Sequence, residues 1–309
     1  MMSSGRQDAM AKNAACWFTS LALLASASVV AAQDSKPSDP VELMRAVVAS
    51  EVAAAQNTSV KFMFRSRRTT QKGVQNRAYA EANEAVASRM IGQSDQPLTP
   101  EQERAEVGQL AELVNHPDRL HRKQEREQQE LDHTLRIIKA LPEAFCYQYA
   151  GTEPGDSALG KPGSQLIRLN FKPNPSYSPP SSVEQVLSGM EGYVLIDPAS
   201  HRLARIDARL VKEVNFGWGI FGHLNQGGTF RVQQADEGSG NWAVTQMTLK
   251  LTGKILMLKS LNLISDETFE DFQRLPDNVP FAKAVELLQT QQMKLAQIAA
   301  SSSAAAAGR

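Results

Sequence analysis

A run of short strand-like segments, separated by turns of a few residues, follows Phe145 and constrains the fold more than any other feature. The turns are rich in Gly, Pro, Asp and Ser, as at 197–200 and 236–240. Parallel strands need crossovers of about a dozen residues or more, which these gaps cannot hold, so we expect an antiparallel meander. The predicted strands cover 145–152, 164–171, 191–197, 202–211, 213–218, 229–236, 242–252 and 254–264, the last two divided by a turn at Gly253.

The chain enters this β region from a helix and two further strands. Apolar residues at helical spacing predict a helix over 40–56, with Asp39 as its N-cap and proline at its first position. Apolar and polar residues alternate over 59–70, which predicts a strand. We also expect a strand over 76–91, although alanine and glutamate in it favour helix.

Two consecutive helices are predicted between these strands and the β region, over 99–115 and 117–141. Thr99 begins the first, since a cap residue, a proline and Gln102 three residues later form a capping box. The second helix is almost wholly polar over 121–130 and gains an apolar seam only in its second half. We therefore interpret the polar run as a solvated helix face.

The pattern as a whole indicates one mostly antiparallel β domain with inserted helices, an α+β fold, over 33–298. Short closing helices are expected over 266–272 and 281–298, and a disordered, low-complexity tail over 299–309. Four consecutive apolar residues at 255–258 send side chains to both faces of a strand. Either a second layer covers both faces, or one face lines an apolar cavity.

Residues 1–32 have the layout of a secretory signal peptide. Arg6 and Lys12 precede an apolar segment, and small residues before Gln33 provide a cleavage site. The alternative is a membrane anchor, because the apolar segment is just long enough for a bilayer of about 30 Å. Cys16 stands at the start of the apolar core, not after it, so no lipidation is expected. We predict cleavage near Ala32 and export to the periplasm.

The charge balance and the cysteine content exclude some kinds of partner and bond. The chain has 33 basic and 33 acidic residues and no basic stripe, so nucleic acid is not an expected partner. Cys146 is the cysteine that remains after cleavage, which excludes an intramolecular disulfide, and we expect it to be a small buried hydrophobe. No later segment has transmembrane length, so any membrane contact is expected to be transient. The oligomeric state stays open.

The sequence contains partial matches to cofactor and metal motifs, but the neighbouring elements that these motifs require are missing. Residues 217–222 match the dinucleotide fingerprint G-x-G-x-x-G, but a glycine pair and a strand follow in place of the phosphate-binding helix. We interpret this segment as a strand connection that carries Trp218 and Phe221. Glu130 and His133 have a spacing used in di-metal bundles, which need two such pairs. We predict no catalytic residue, no metal site and no cofactor.

Several strand patterns resemble the periplasmic lipoprotein-carrier superfamily, the LolA-like outer-membrane lipoprotein-sorting proteins. The stretch 192–198 followed by 202–207 resembles its strand–turn–strand hairpin, and 216–230 and 253–259 resemble later strands of a bacterial branch. The resemblance spans Val41 to Leu288. It implies a strongly curved antiparallel sheet, a half-barrel, covered by helices over an apolar face that shields acyl chains. The helical insertion 99–141 departs from the carriers.

The sequence thus predicts a non-enzymatic periplasmic binding or carrier protein for a lipid or acyl chain, or for a lipoprotein that bears one. The candidate lining residues are chosen by strand alternation and aromatic bulk: Phe62, Phe64, Trp218, Phe221, Leu256 and Leu258. One alternative is a structural or regulatory envelope protein that binds another protein through the 99–141 helices. Another is a hydrolase whose site is assembled from distant carboxylates.

Overall fold

The strands of a computed structural model pair into one large sheet, and we number them in chain order. The structure describes residues 39–94, 96–216, 222–255, 259–291 and 293, all of which belong to one compact unit. The predicted signal peptide and tail lie outside these residues. The strands are β1 (Phe62–Thr70), β2 (Gly73–Ala80), β3 (Ala87–Gln93), β4 (Gln96–Pro97), β5 (Phe145–Pro154), β6 (Gln165–Pro173), β7 (Met190–Asp197), β8 (Arg202–Leu210), β9 (Val214–Phe216), β10 (Gly222–Leu224), β11 (Thr229–Asp236), β12 (Trp242–Ile255) and β13 (Lys259–Arg274).

Helices lie before, between and after these strands. They are α1 (Pro40–Gln56), α2 (Pro100–Asn115), α3 (Pro117–Ala144) and α4 (Ser182–Gln185), which continues into a 3₁₀ turn over Val186–Gly189, and α5 over 281–291. The first three confirm the predicted helices. Asp39 caps α1 by accepting a hydrogen bond from the Val41 amide at 2.9 Å, and Thr99 and Gln102 form the predicted capping box of α2.

The sheet is open and curved, and its strands follow the order β4-β3-β2-β1-β13-β12-β11-β8-β7-β6-β5. Every neighbouring pair along this path is antiparallel, while β9 and β10 form a short ribbon beside β12. The predicted meander and α+β class are therefore confirmed. The sequence did not predict that β1 joins β13, which attaches the N-terminal strands to the last one.

Two predictions about the end of the meander are wrong. Residues 266–272 were expected to be helical but belong to β13, because pairing with β1 and β12 on both sides overrides local propensity. Gly253 was expected to be a turn but lies inside β12, opposite Leu224 of β10. A Cβ atom on Gly253 would clash with the carbonyl oxygen of His223. This glycine therefore permits close strand approach and does not reverse the chain.

Two predictions in other parts of the sheet also need correction. The strand expected over 76–91 is two strands, β2 and β3, separated by a loop over 81–86. Glu84 in this loop accepts a hydrogen bond from the Phe281 amide at 2.8 Å, at the start of α5. Cys146 was expected to be buried, yet it is exposed on β5. The reason is strand alternation, since its neighbour Phe145 points into the core.

The first core lies where α1 and the end of α3 pack on one face of β5 to β8, which we call the α1 face. Met44 and Val47 of α1 are 0% and 1% exposed, and Leu141 of α3 is 4% exposed. They pack with buried strand residues of this face: Leu169, Phe171, Val194, Ile196 and Ala208. This half of the α1 face is filled by the chain's own side chains.

The second core lies on the opposite face of the sheet, at its other end. Here α2 and α5 pack on β1 to β3. The buried members include Met63, Ala78, Ala80, Ala87, Leu110, Phe281 and Leu288. Because Leu120 of α3 packs against this cluster and Leu141 belongs to the first, α3 contacts both cores.

Candidate functional site

The α1 face continues across the sheet beyond the strands that α1 covers. Residues directly opposite each other in an antiparallel pair share a face. Ala208 of the first core is opposite Phe230, which is opposite Leu249. Leu249 is opposite Ser265, which is opposite Thr70 of β1. One face of the sheet therefore runs from the first core through β11, β12 and β13 to β1.

Apolar side chains cover this continuation of the α1 face. The half-buried residues are Phe230, Val232, Met247, Leu249, Leu251 and Leu261. Leu263, at the outer end, is 44% exposed. We call these seven residues the apolar strip. Leu251 and Leu261 still contact the first core, so the strip is continuous with it.

Five aromatic rings extend the same face over β13, β1 and β2. Phe64 stacks on Tyr79 with ring centroids 4.9 Å apart and on Phe272 at 5.2 Å. Phe269 meets Phe64 edge-on at 6.1 Å, as Phe62 meets Phe272. All five rings are half-buried, and we call them the aromatic cluster. Together with the apolar strip, they form a broad apolar surface.

A small polar group lies within this surface. The Glu267 side chain is buried, and its carboxylate accepts a hydrogen bond from Ser66 Oγ at 2.7 Å. Arg68 Nε lies 3.8 Å from the carboxylate and donates to Ser265 Oγ at 2.9 Å. The negative charge is therefore offset by a hydroxyl and a guanidinium, which lowers the cost of its burial.

A pocket of about 680 Å³ lies where the aromatic cluster approaches the end of α1. Phe62 lines it together with Val60, Leu131 and Trp242, and Glu81, Glu127 and Arg202 add polar groups. Its walls are thus mixed, in contrast to the apolar strip.

Two carboxylates of this pocket accept hydrogen bonds from backbone amides. Glu81 accepts a hydrogen bond from the Phe62 amide at 2.8 Å, and Glu127 accepts one from the Val86 amide at 3.0 Å. Burial raises the pKa of Glu81, against the opposing effects of that amide and of Lys61. Both carboxylates therefore hold loops in place, which is a structural role.

A buried ion pair fastens α1 to the sheet. Glu51 of α1 accepts hydrogen bonds from Arg202 Nε at 2.9 Å and from the Leu203 amide at 2.8 Å. The side chains of Glu51 and Arg202 are 9% and 13% exposed, and Gln234 donates to Glu51 at 3.4 Å. The position of α1 over the sheet thus depends on charge as well as on apolar packing.

Phe62 and Phe64, two of the six predicted lining residues, lie together on the α1 face, in the aromatic cluster. Trp218, Phe221, Leu256 and Leu258 lie outside the described residues. Sequence reasoning missed Tyr79, Phe269 and Phe272. Tyr79 stands between Ala78 and Ala80, and this alternation in a predicted strand could have identified it as a lining residue.

Three features of the described part of the chain bear on a metal, a nucleotide or a membrane. Within it, no group of three or more His, Cys, Asp or Glu residues is arranged to hold a metal ion. Gly222, the last glycine of the fingerprint-like segment, begins strand β10, where the dinucleotide fingerprint needs a helix. None of the helices in the described ranges is long and apolar enough to cross a membrane.

Comparison with known proteins finds only distant similarity. No family model matches the sequence, and no curated protein matches it. A crystal structure described as an outer membrane lipoprotein-sorting protein domain from Vibrio parahaemolyticus is 10% identical, covers 74% of this chain and 91% of its own, and has a TM-score of 0.27. A DUF1329 family protein from Desulfovibrio piger is 12% identical over 76% of this chain and 93% of its own, with a TM-score of 0.27. At these TM-scores the similarity carries no argument about function, and the chain's own geometry has to supply one.

Proposed function

We propose that this chain is an exported, non-enzymatic binding or carrier protein that holds the acyl chain of a lipid or lipoprotein along the apolar strip and the aromatic cluster. The observation that carries the proposal is the extent of the half-buried apolar surface on the α1 face, from Leu261 to Tyr79. A surface of this kind is unusual in an exported protein unless something covers it. The predicted signal peptide supports a periplasmic location.

The energetics of an acyl chain suit such a surface. Each buried methylene contributes about 0.8 kcal/mol, so about ten methylenes contribute about 8 kcal/mol. This exceeds the lower estimates, about 4 kcal/mol, of the cost of association. Aromatic rings at the far end add large contact areas at a low cost in side-chain entropy. The mixed pocket beside Phe62 has room for a polar group at the end of the chain.

A titration with the fluorescent fatty acid cis-parinaric acid tests the proposal. The full chain, purified after export, should bind the probe saturably. Met247→Gln combined with Leu249→Asn keeps similar side-chain shapes but makes the centre of the strip polar. We expect the Kd to rise about tenfold or more, which corresponds to about 1.4 kcal/mol or more.

The matched control is Val114→Thr, which makes a similar polar change on α2, away from the α1 face. Val114 is 37% exposed, and α2 packs on the opposite face of the sheet. The control should bind like the parent. Absence of saturable binding by the parent, or an unchanged Kd in the strip variant, contradicts the proposal.

A further inference from the structure

The outer part of the β12–β13 hairpin extends beyond the neighbouring strand. On β13, pairing with β1 begins at Ser265, opposite Thr70. Among the described residues, the preceding ones, 259–264, pair only with β12. On the other side, the described residues of β12 beyond Lys250 pair with the short strand β10 and with Asn225, whose amide donates to the Thr252 carbonyl at 2.8 Å. This part of the hairpin therefore projects past the turn between β1 and β2.

Two large apolar side chains are exposed on this projection, one on each face. Leu263 is 44% exposed and Ile264 is 37% exposed. Leu263 is opposite Leu251 and continues the apolar strip, while Ile264 is opposite Lys250 on the other face. Adjacent strand residues point to opposite faces, so neither face of this end is polar throughout. A strand packed only against its own sheet does not need this pattern.

Lysines surround the two apolar residues. Lys250, Lys254 and Lys259 are exposed, and within the described residues none of them forms an ion pair with a carboxylate. The sequence contains no acidic residue between Gln246 and Asp266. Lysines can guard a free strand edge against pairing, but that role does not explain why Leu263 and Ile264 are exposed beside them.

We infer that this end of the hairpin, defined by Lys250, Lys254, Lys259, Leu263 and Ile264, docks on an anionic lipid surface. Basic side chains near an anionic leaflet are attracted by its surface potential, and exposed aliphatic side chains between them enter the interface. Charge complementarity thus selects the membrane as the occupant. The inference does not depend on acyl-chain binding, although docking here would place the apolar strip, through Leu263, next to the lipid phase.

Vesicle co-sedimentation of the full chain tests the inference. Vesicles of equal parts phosphatidylglycerol and phosphatidylcholine should bind the chain at least tenfold more strongly than vesicles of pure phosphatidylcholine. Lys254→Glu with Lys259→Glu, and separately Leu263→Ser with Ile264→Ser, should each weaken binding to the anionic vesicles at least tenfold. High salt should weaken the binding of the parent.

Matched controls separate the hairpin from general surface effects. Lys139→Glu with Lys161→Glu makes the same charge change at exposed lysines on other elements, and Val114→Ser changes an exposed valine of α2. Equal binding to both kinds of vesicle, or an equal loss in the controls, overturns the inference. Titration of the Lys254→Glu with Lys259→Glu variant with cis-parinaric acid keeps the two proposals apart, because loss of vesicle binding with intact probe binding assigns the effect to docking alone.

Discussion

At the residue scale, the ion pair between Glu51 and Arg202 makes a strong prediction about stability. Glu51→Ala leaves the Arg202 guanidinium buried without its carboxylate and should lower the free energy of unfolding by about 3–5 kcal/mol. Urea unfolding measures this. Arg45 forms a surface pair with Glu42 and Glu143, so Arg45→Ala should cost less than about 1 kcal/mol. Similar losses in the two variants would mean that the buried pair does not fix α1.

The raised pKa of Glu81 predicts a second effect, on pH dependence. Its pKa lies above 4.5 because burial disfavours the charged carboxylate. The folded chain then holds this proton more tightly than the unfolded chain, so the stability that neutral Glu81 provides is present below pH 4.5 and lost as the pH rises through the folded-state pKa. Glu81→Gln removes this loss and can still accept from the Phe62 amide. In urea unfolding, the free energy of unfolding of the variant should therefore rise relative to that of the parent as the pH increases from acid to neutral. Glu286→Gln, an exposed control, should show no such trend.

At the scale of elements, local signals predicted those helices and strands whose local and tertiary preferences agree. The caps of α1 and α2 were visible in the sequence because a cap and the residue it bonds lie within three positions of each other. Strand β13 was missed over 266–272 because Phe269 and Phe272 are three residues apart, a spacing that also suits one face of a helix. Pairing on both of its edges decides the outcome, and pairing is not a local property.

The same limit applies to the candidate site. Alternation along β1 identified Phe62 and Phe64, but two of their partners on the α1 face, Phe269 and Phe272, come from a strand near the other end of the chain. Ser66 and Glu267, which are hydrogen-bonded at the centre of the site, are 201 residues apart in the sequence. Only the β1–β13 register brings Phe269 and Phe272 to Phe64. A single sequence contains no signal for that register.

At the scale of the whole molecule, the two larger cores lie on opposite faces and at opposite ends of the sheet. The α1 face is filled at one end by α1 and α3, and the opposite face is filled at the other end by α2 and α5. This arrangement leaves the continuation of the α1 face to the apolar strip and the aromatic cluster. It also makes the predicted 99–141 insertion part of the fold, since Leu110 and Leu141 are 2% and 4% exposed in the two cores.

Whether the two cores unfold together depends on the elements that they share. The sheet and α3 connect them, so we expect one cooperative transition in urea. Leu141→Ala in the first core and Leu288→Ala in the second should each lower the free energy of unfolding by about 2–5 kcal/mol. Both should shift the same transition, and because the sites have no common partner, their effects should add to within about 0.5 kcal/mol. Val114→Ala, at an exposed position, should change the free energy of unfolding by less than about 0.5 kcal/mol.

Two separate transitions, each shifted by only one of the core variants, would show that the sheet does not couple the cores. The apolar surface between them would then lie at a boundary between independently folding halves.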